Sequence, residues 1–106
     1  MYKTVMTFEL EQLMKKQKLN IIDVREQDEV DNGHIKGIIH MPLSSFGRHL
    51  NKINKNDEYY VICYSGARST QAAQFLANQG YKVTNVMGGM SIYQVELVYE
   101  VWYSDY

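Results

Sequence analysis

Three short runs constrain the fold most: NIIDV (residues 20–24), EYYVIC (58–63) and YKVTNV (81–86). Each is dense in β-branched or aromatic residues and too brief for a helix, so each reads as a buried strand. KGIIHM, around residue 38, reads the same way, and residues 2–5 add a further candidate. Helical spacing fills the intervals. Leu10, Leu13 and Met14 share one face over residues 8–17, with Thr7 as the expected N-cap and Glu9 and Glu11 near the positive end of the dipole. Ala72, Phe75, Leu76 and Gln79 recur over residues 69–79, and Gly80 supplies a left-handed stop. Residues 43–53 read as a short helix before the polar turn NKND, and Gly88 and Gly89 mark another turn. Alternating strands and helices predict an α/β fold: a mostly parallel central sheet of about five strands with helices on both faces. In such sheets, sites form beyond the carboxyl ends of the strands.

At 106 residues the chain is the size of one domain, and no repeat, low-complexity stretch or linker divides it. Hydrophobic residues make up 45%, charged residues 22%, and the net charge is -1, which argues against both disorder and a nucleic-acid partner. The N-terminus, MYKTVMTFELEQLMKK, lacks the apolar core of a signal peptide, and no run approaches a membrane span, so the expected location is the cytoplasm with no membrane partner. With a single cysteine there is no internal disulfide, and no cysteine/histidine spacing suggests a metal.

That cysteine, Cys63, sits where the strand EYYVIC hands over to the next helix, in CYSGARS. If the helix begins at Ser69 or Thr70, residues 64–68 must turn sharply, and successive amides converge into an anion-binding nest facing the sulfur. Gly66 lets the backbone turn without a Cβ, and both the helix N-terminus and Arg68 favour a thiolate. A free thiol is roughly 3% ionised at neutral pH, and lowering its pKa by about two units raises that to roughly three quarters. Nucleophilic sulfur chemistry fits the setting. A buried structural cysteine at a strand end is the competing reading.

Three segments then resemble, in order, the motifs of the rhodanese domain family: DVREQDEVDNGHIKGIIHMPLSSF (23–46), CYSGARS (63–69) and GGMSIY (88–93). The resemblance covers residues 4–94. It implies a three-layer α/β/α rhodanese-like fold and a sulfurtransferase needing no cofactor, in which Cys63 accepts a sulfane sulfur as a persulfide and passes it to a thiol- or cyanide-like acceptor. The donor is thiosulfate or a small-molecule or protein persulfide, with Arg68 binding the oxyanion and residues 64–69 holding the persulfide. Val30, His40 and Tyr93 depart from the residue types usual at their positions, and none of them lies in the cysteine loop. The ending VELVYEVWYSDY (95–106) is atypical and fits strand alternation (Val95, Leu97, Tyr99, Val101) as well as helical spacing (Val95, Val98, Tyr99, Trp102); packing on its own domain is the first expectation, with a monomer or weak dimer.

Around the loop, Tyr64 is expected at the pocket rim, Ser65 and Ser69 as donors to the bound anion or as helix caps, and Ala67 within the nest. Asp23 and Arg25, at the end of NIIDV, should open on the same sheet edge as Cys63 and brace the loop. His34, in NGHIKG, is expected to pin a loop by a hydrogen bond; His40 and His49 show no partner spacing. Two other functions remain. A phosphatase or arsenate reductase also sets a thiolate below an arginine, but its arginine usually stands six positions after the cysteine, whereas Arg68 is five positions on. A non-catalytic rhodanese-like binding or regulatory module is the second, and the presence of Cys63 and Arg68 weighs against it.

Overall fold

The computed structural model describes residues 1–99. Among them, five strands form one parallel sheet: β1 (Lys3–Met6), β2 (Ile21–Asp23), β3 (Ile39–His40), β4 (Glu58–Ile62) and β5 (Lys82–Met87), in the order β1-β5-β4-β2-β3. The α-helices are α1 (Thr7–Met14), α2 (Gln27–Asp31) and α3 (Ala67–Asn78), with 3-10 helices at Leu43–Lys52 and Gly89–Ile92. The expected α/β architecture is thus present, and all the strand pairings are parallel.

Side-chain alternation builds a core on each face of the sheet. Tyr59, Val61 and Cys63 join Ile22, Val24 and Val83 beneath Ala72, Ala73 and Leu76 of α3. Ile62, one residue out of phase, joins Ile21 and Val86 beneath Leu10 of α1 and Ile35. Both faces of the central strands are therefore buried, which is why these runs read as nearly continuous apolar segments. Phe46 meets Phe75 edge to face, with centroids 6.0 Å apart, fastening the first 3-10 helix to α3.

Local differences from the sequence reading have clear causes. Met6, rather than Thr7, is the N-cap of α1, its amide donating to Glu9 Oε1 at 2.8 Å. The Thr7 hydroxyl is drawn inward instead, its one proton shared between the carbonyls of Gly89 (2.9 Å) and Met87 (3.2 Å). Residues 43–52 wind as 3-10 helix, interrupted at Ser45 (φ -134°, ψ 30°). The α3 helix starts at Ala67, before the expected Ser69, because Gly66 takes φ +123° and makes the turn by itself. The short helix α2 was not expected from the sequence.

No helix among the described residues is long and apolar enough to cross a membrane. Residues 93–99 contain no helix; Val98 pairs with His34 in an isolated antiparallel bridge, with N–H to O distances of 2.7 and 2.8 Å. This part of the tail packs on its own domain, as expected. Val101 and Trp102, on which the choice between strand and helical spacing also turned, lie outside the described residues.

Candidate active site

Cys63 follows the last residue of β4, at the carboxyl edge of the sheet, and is 1% exposed. Its sulfur sits inside the turn that leads into α3. The Gly66 amide donates to Sγ at 3.0 Å and the Ser69 amide at 3.3 Å. The Ser69 hydroxyl lies 3.4 Å from Sγ and 3.2 Å from the Gly66 carbonyl. Its one proton serves either acceptor: it goes to the carbonyl when sulfur holds its own hydrogen and to sulfur when sulfur is ionised.

What turns these amides inward is the clamp on the outer side of the loop. The carbonyls of Cys63, Tyr64 and Ser65 accept from the amides of Met90 (2.8 Å), Ser91 (2.8 Å) and Gly88 (3.1 Å). With its carbonyls bonded outward, the peptide chain presents its N–H groups to the sulfur. Gly89 makes the approach possible, because a Cβ there would overlap the Cys63 and Tyr64 carbonyl oxygens. At Gly66 a Cβ would meet the Met87 sulfur at 3.0 Å, in a backbone conformation that L side chains rarely adopt.

Burial pushes the Cys63 thiol up, but hydrogen bonds from the Ser69 hydroxyl and from the amides of Ser69, Gly66 and Ser65 outweigh it, so its pKa is lowered. Arg68, expected to favour the thiolate and to bind a donor oxyanion, is not among the main groups that lower the Cys63 pKa. Its fork closes on Glu29 of α2, with Nη1 to Oε1 at 2.6 Å and Nη2 to Oε2 at 2.9 Å. That bond holds the Glu29 carboxyl, despite partial burial, down to about 2, helped by the Glu26 amide and the charges of Arg68 and Arg25. The Arg68 pKa is raised by the Glu29 bond against burial, and the charges of Glu29, Cys63 and Glu26 add to the rise.

Asp23 and Arg25 stand at the same edge as a buried pair. Arg25 Nη2 lies 2.8 Å from Asp23 Oδ2, and its Nε donates to Asp23 at 3.0 and 3.1 Å. The same guanidinium donates to the Gly33 carbonyl at 2.8 Å. They brace α2 and the turn after it, Arg25 Nη1 donating to the Glu29 carbonyl at 3.4 Å, while Asp23 stands in register with Ile62, the residue before Cys63. His34 Nδ1 bonds the Val30 carbonyl at 2.8 Å, the pinning role expected of it, and His40 Nε2 bonds the Arg25 carbonyl at 2.7 Å. Tyr64 is exposed at the rim, where it lines a cavity of about 320 Å³ with Arg25, Glu29, Asn32, Met90 and Leu97. Ser65 gives its amide to the sulfur's surroundings and its carbonyl to the Gly88 clamp. Ala67 opens α3.

Glu29 is the residue that sequence reasoning missed. The available signal was Glu26-x-x-Glu29, a capping-box spacing in which the second glutamate reaches back to the Glu26 amide, here at 3.0 Å.

Comparison with known proteins identifies the family. The model of the rhodanese-like domain matches residues 7–96. The thiosulfate sulfurtransferase GlpE of Coxiella burnetii is 34% identical over 95 residues, 89% of each chain. YrkF of Bacillus subtilis is 48% identical over 75 residues, which are 70% of this chain and 40% of YrkF. The crystal structure of SSP1007 from Staphylococcus saprophyticus superposes with a TM-score of 0.86 at 34% identity, covering 92% of this chain and 99% of that one. Sulfur transfer is the activity for which GlpE is named, and this chain, through fold, loop and sequence together, belongs to the rhodanese-like domain family.

Proposed function

We propose that the chain is a sulfurtransferase in which Cys63 is the nucleophile and the carrier of sulfur. The observation that supports this best is the convergence of the Gly66 and Ser69 amides on Sγ, at 3.0 and 3.3 Å. Donors so placed stabilise negative charge on the resting thiolate and, one atom further out, on a persulfide. The thiolate attacks the sulfane sulfur of a donor, thiosulfate or a persulfide; the donor's S–S bond breaks and its leaving group departs with the electron pair. An acceptor thiolate or cyanide then attacks the outer sulfur of the Cys63 persulfide and releases the Cys63 thiolate. Ser65, Gly66, Ala67 and Ser69 form the cradle, Tyr64 its rim, and Asp23 and Arg25 hold the neighbouring α2. Such a free thiol works in a reducing compartment, and we place the protein in the cytoplasm.

Replacing Cys63 by serine tests the nucleophile. The hydroxyl cannot become a persulfide, so Cys63→Ser should keep its thermal transition and lose cyanide-dependent sulfur transfer. Transfer at the unmodified rate by that variant would overturn the proposal.

A further inference from the structure

Both guanidinium groups at the carboxyl edge beside the loop are already matched by carboxylates. The Arg68 fork is filled by Glu29 at 2.6 and 2.9 Å, and Arg25 is held by Asp23 at 2.8 Å. Glu29 is itself fixed, because its Oε1 also accepts the Glu26 amide at 3.0 Å. Glu26 adds another carboxylate, tied to the Ser44 hydroxyl at 2.6 Å and to the Ser44 amide at 3.2 Å. Among the described residues, the cavity beside Tyr64 has Arg25 and Glu29 as its only charged lining residues, the first paired with Asp23 and the second with Arg68. A doubly charged donor arriving here finds no free cation in that lining and must displace Glu29 to use Arg68. A persulfide needs no such exchange, since the sulfur it delivers is received by the amides of Gly66 and Ser69.

We infer that Glu29, by occupying Arg68, is a specificity determinant that turns Cys63 away from thiosulfate and toward persulfides of the R–S–SH class. The inference rests on the sulfurtransferase reading above. In the favoured step the Cys63 thiolate attacks the terminal sulfur of R–S–SH, a new S–S bond forms, and the donor's S–S bond breaks. The leaving R–S⁻ takes the bonding pair, and the transferred sulfur keeps its proton, so charge and atoms balance. With thiosulfate the leaving group is sulfite, which carries two negative charges beside the Glu29 carboxylate that lines the cavity.

The test loads reduced protein with glutathione persulfide or with thiosulfate and follows the gain of one sulfur by intact mass against time. Three forms are compared: the unmodified protein, Glu29→Gln, and Glu29→Gln combined with Arg68→Ala. Glutamine still accepts the Glu26 amide, so α2 keeps its cap while Arg68 is released. The unmodified protein should load faster from glutathione persulfide than from thiosulfate. In Glu29→Gln the ratio of thiosulfate to persulfide loading should rise about ten-fold or more, the scale of one freed charge-assisted contact, and adding Arg68→Ala should abolish the rise. A merely structural Glu29 would slow both donors together and leave the ratio where it was. An unchanged ratio, or thiosulfate loading as fast as persulfide loading in the unmodified protein, overturns the inference while sulfur transfer stands. If neither donor loads Cys63, sulfur transfer falls and the inference falls with it.

Discussion

Ser69 holds the Cys63 sulfur from two atoms at once, its amide at 3.3 Å and its hydroxyl at 3.4 Å. Because Ser69 lies within the first turn of α3, the helix that packs over β4 also fixes the donors on the sulfur, and packing and reactivity are coupled through one residue. Ser69→Ala removes the hydroxyl and keeps the amide. A hydrogen bond to a charged group contributes about 1.5 kcal/mol or more, so the Cys63 pKa should rise. The sign follows from the anion being the form that loses a donor. The pH dependence of iodoacetamide alkylation reads the change: the midpoint should lie below that of a free thiol in the unmodified protein and move upward in the variant.

Gly89→Ala should damage the loop from outside. The backbone there has φ +54°, and an added Cβ overlaps the Cys63 and Tyr64 carbonyl oxygens, which cannot give way without turning the peptides that face the sulfur. The left-handed conformation alone costs about 1–2 kcal/mol, or roughly 4–16 °C in Tm for a domain of this size. Thermal unfolding should show at least that loss, together with slower alkylation of Cys63 at neutral pH. A variant with unaltered Tm and alkylation rate would mean that the clamp at Gly88, Met90 and Ser91 is dispensable.

Asp23→Ala leaves the Arg25 guanidinium buried without its carboxylate. Breaking a buried pair from one side costs about 3–5 kcal/mol, a large fraction of the stability of a single domain. Urea denaturation should show a midpoint shifted far downward or a chain already unfolded, whereas Arg68→Ala, which removes a partly exposed pair, should cost about 1 kcal/mol or less. Equal losses in the two variants would contradict the different roles given to the pairs.

The strands were the most legible part of the sequence, because a central parallel strand is apolar on both faces and NIIDV, EYYVIC and YKVTNV carry that pattern within a few residues. Cys63 and its glycine were legible too, since a turn from strand to helix needs Gly66 in a positive-φ conformation. The α2 helix was not, because five residues give too few turns for a period to show. Nor was the engagement of Arg68: its partner is 39 residues away, and no local pattern reports a contact made by tertiary packing. Thr7 illustrates the same limit. Its position before an apolar-periodic run fits an N-cap, but the nearby carbonyls of Met87 and Gly89 claim the hydroxyl.

The most direct measurement is the intact mass of the reduced protein before and after exposure to glutathione persulfide, and again after cyanide. Cys63, the only cysteine in the chain, should gain the mass of one sulfur atom and lose it on cyanide treatment, with no gain in Cys63→Ser. A protein whose Cys63 alkylates readily with iodoacetamide yet never acquires a cyanide-labile sulfur would contradict the assignment of Cys63 as a sulfur carrier.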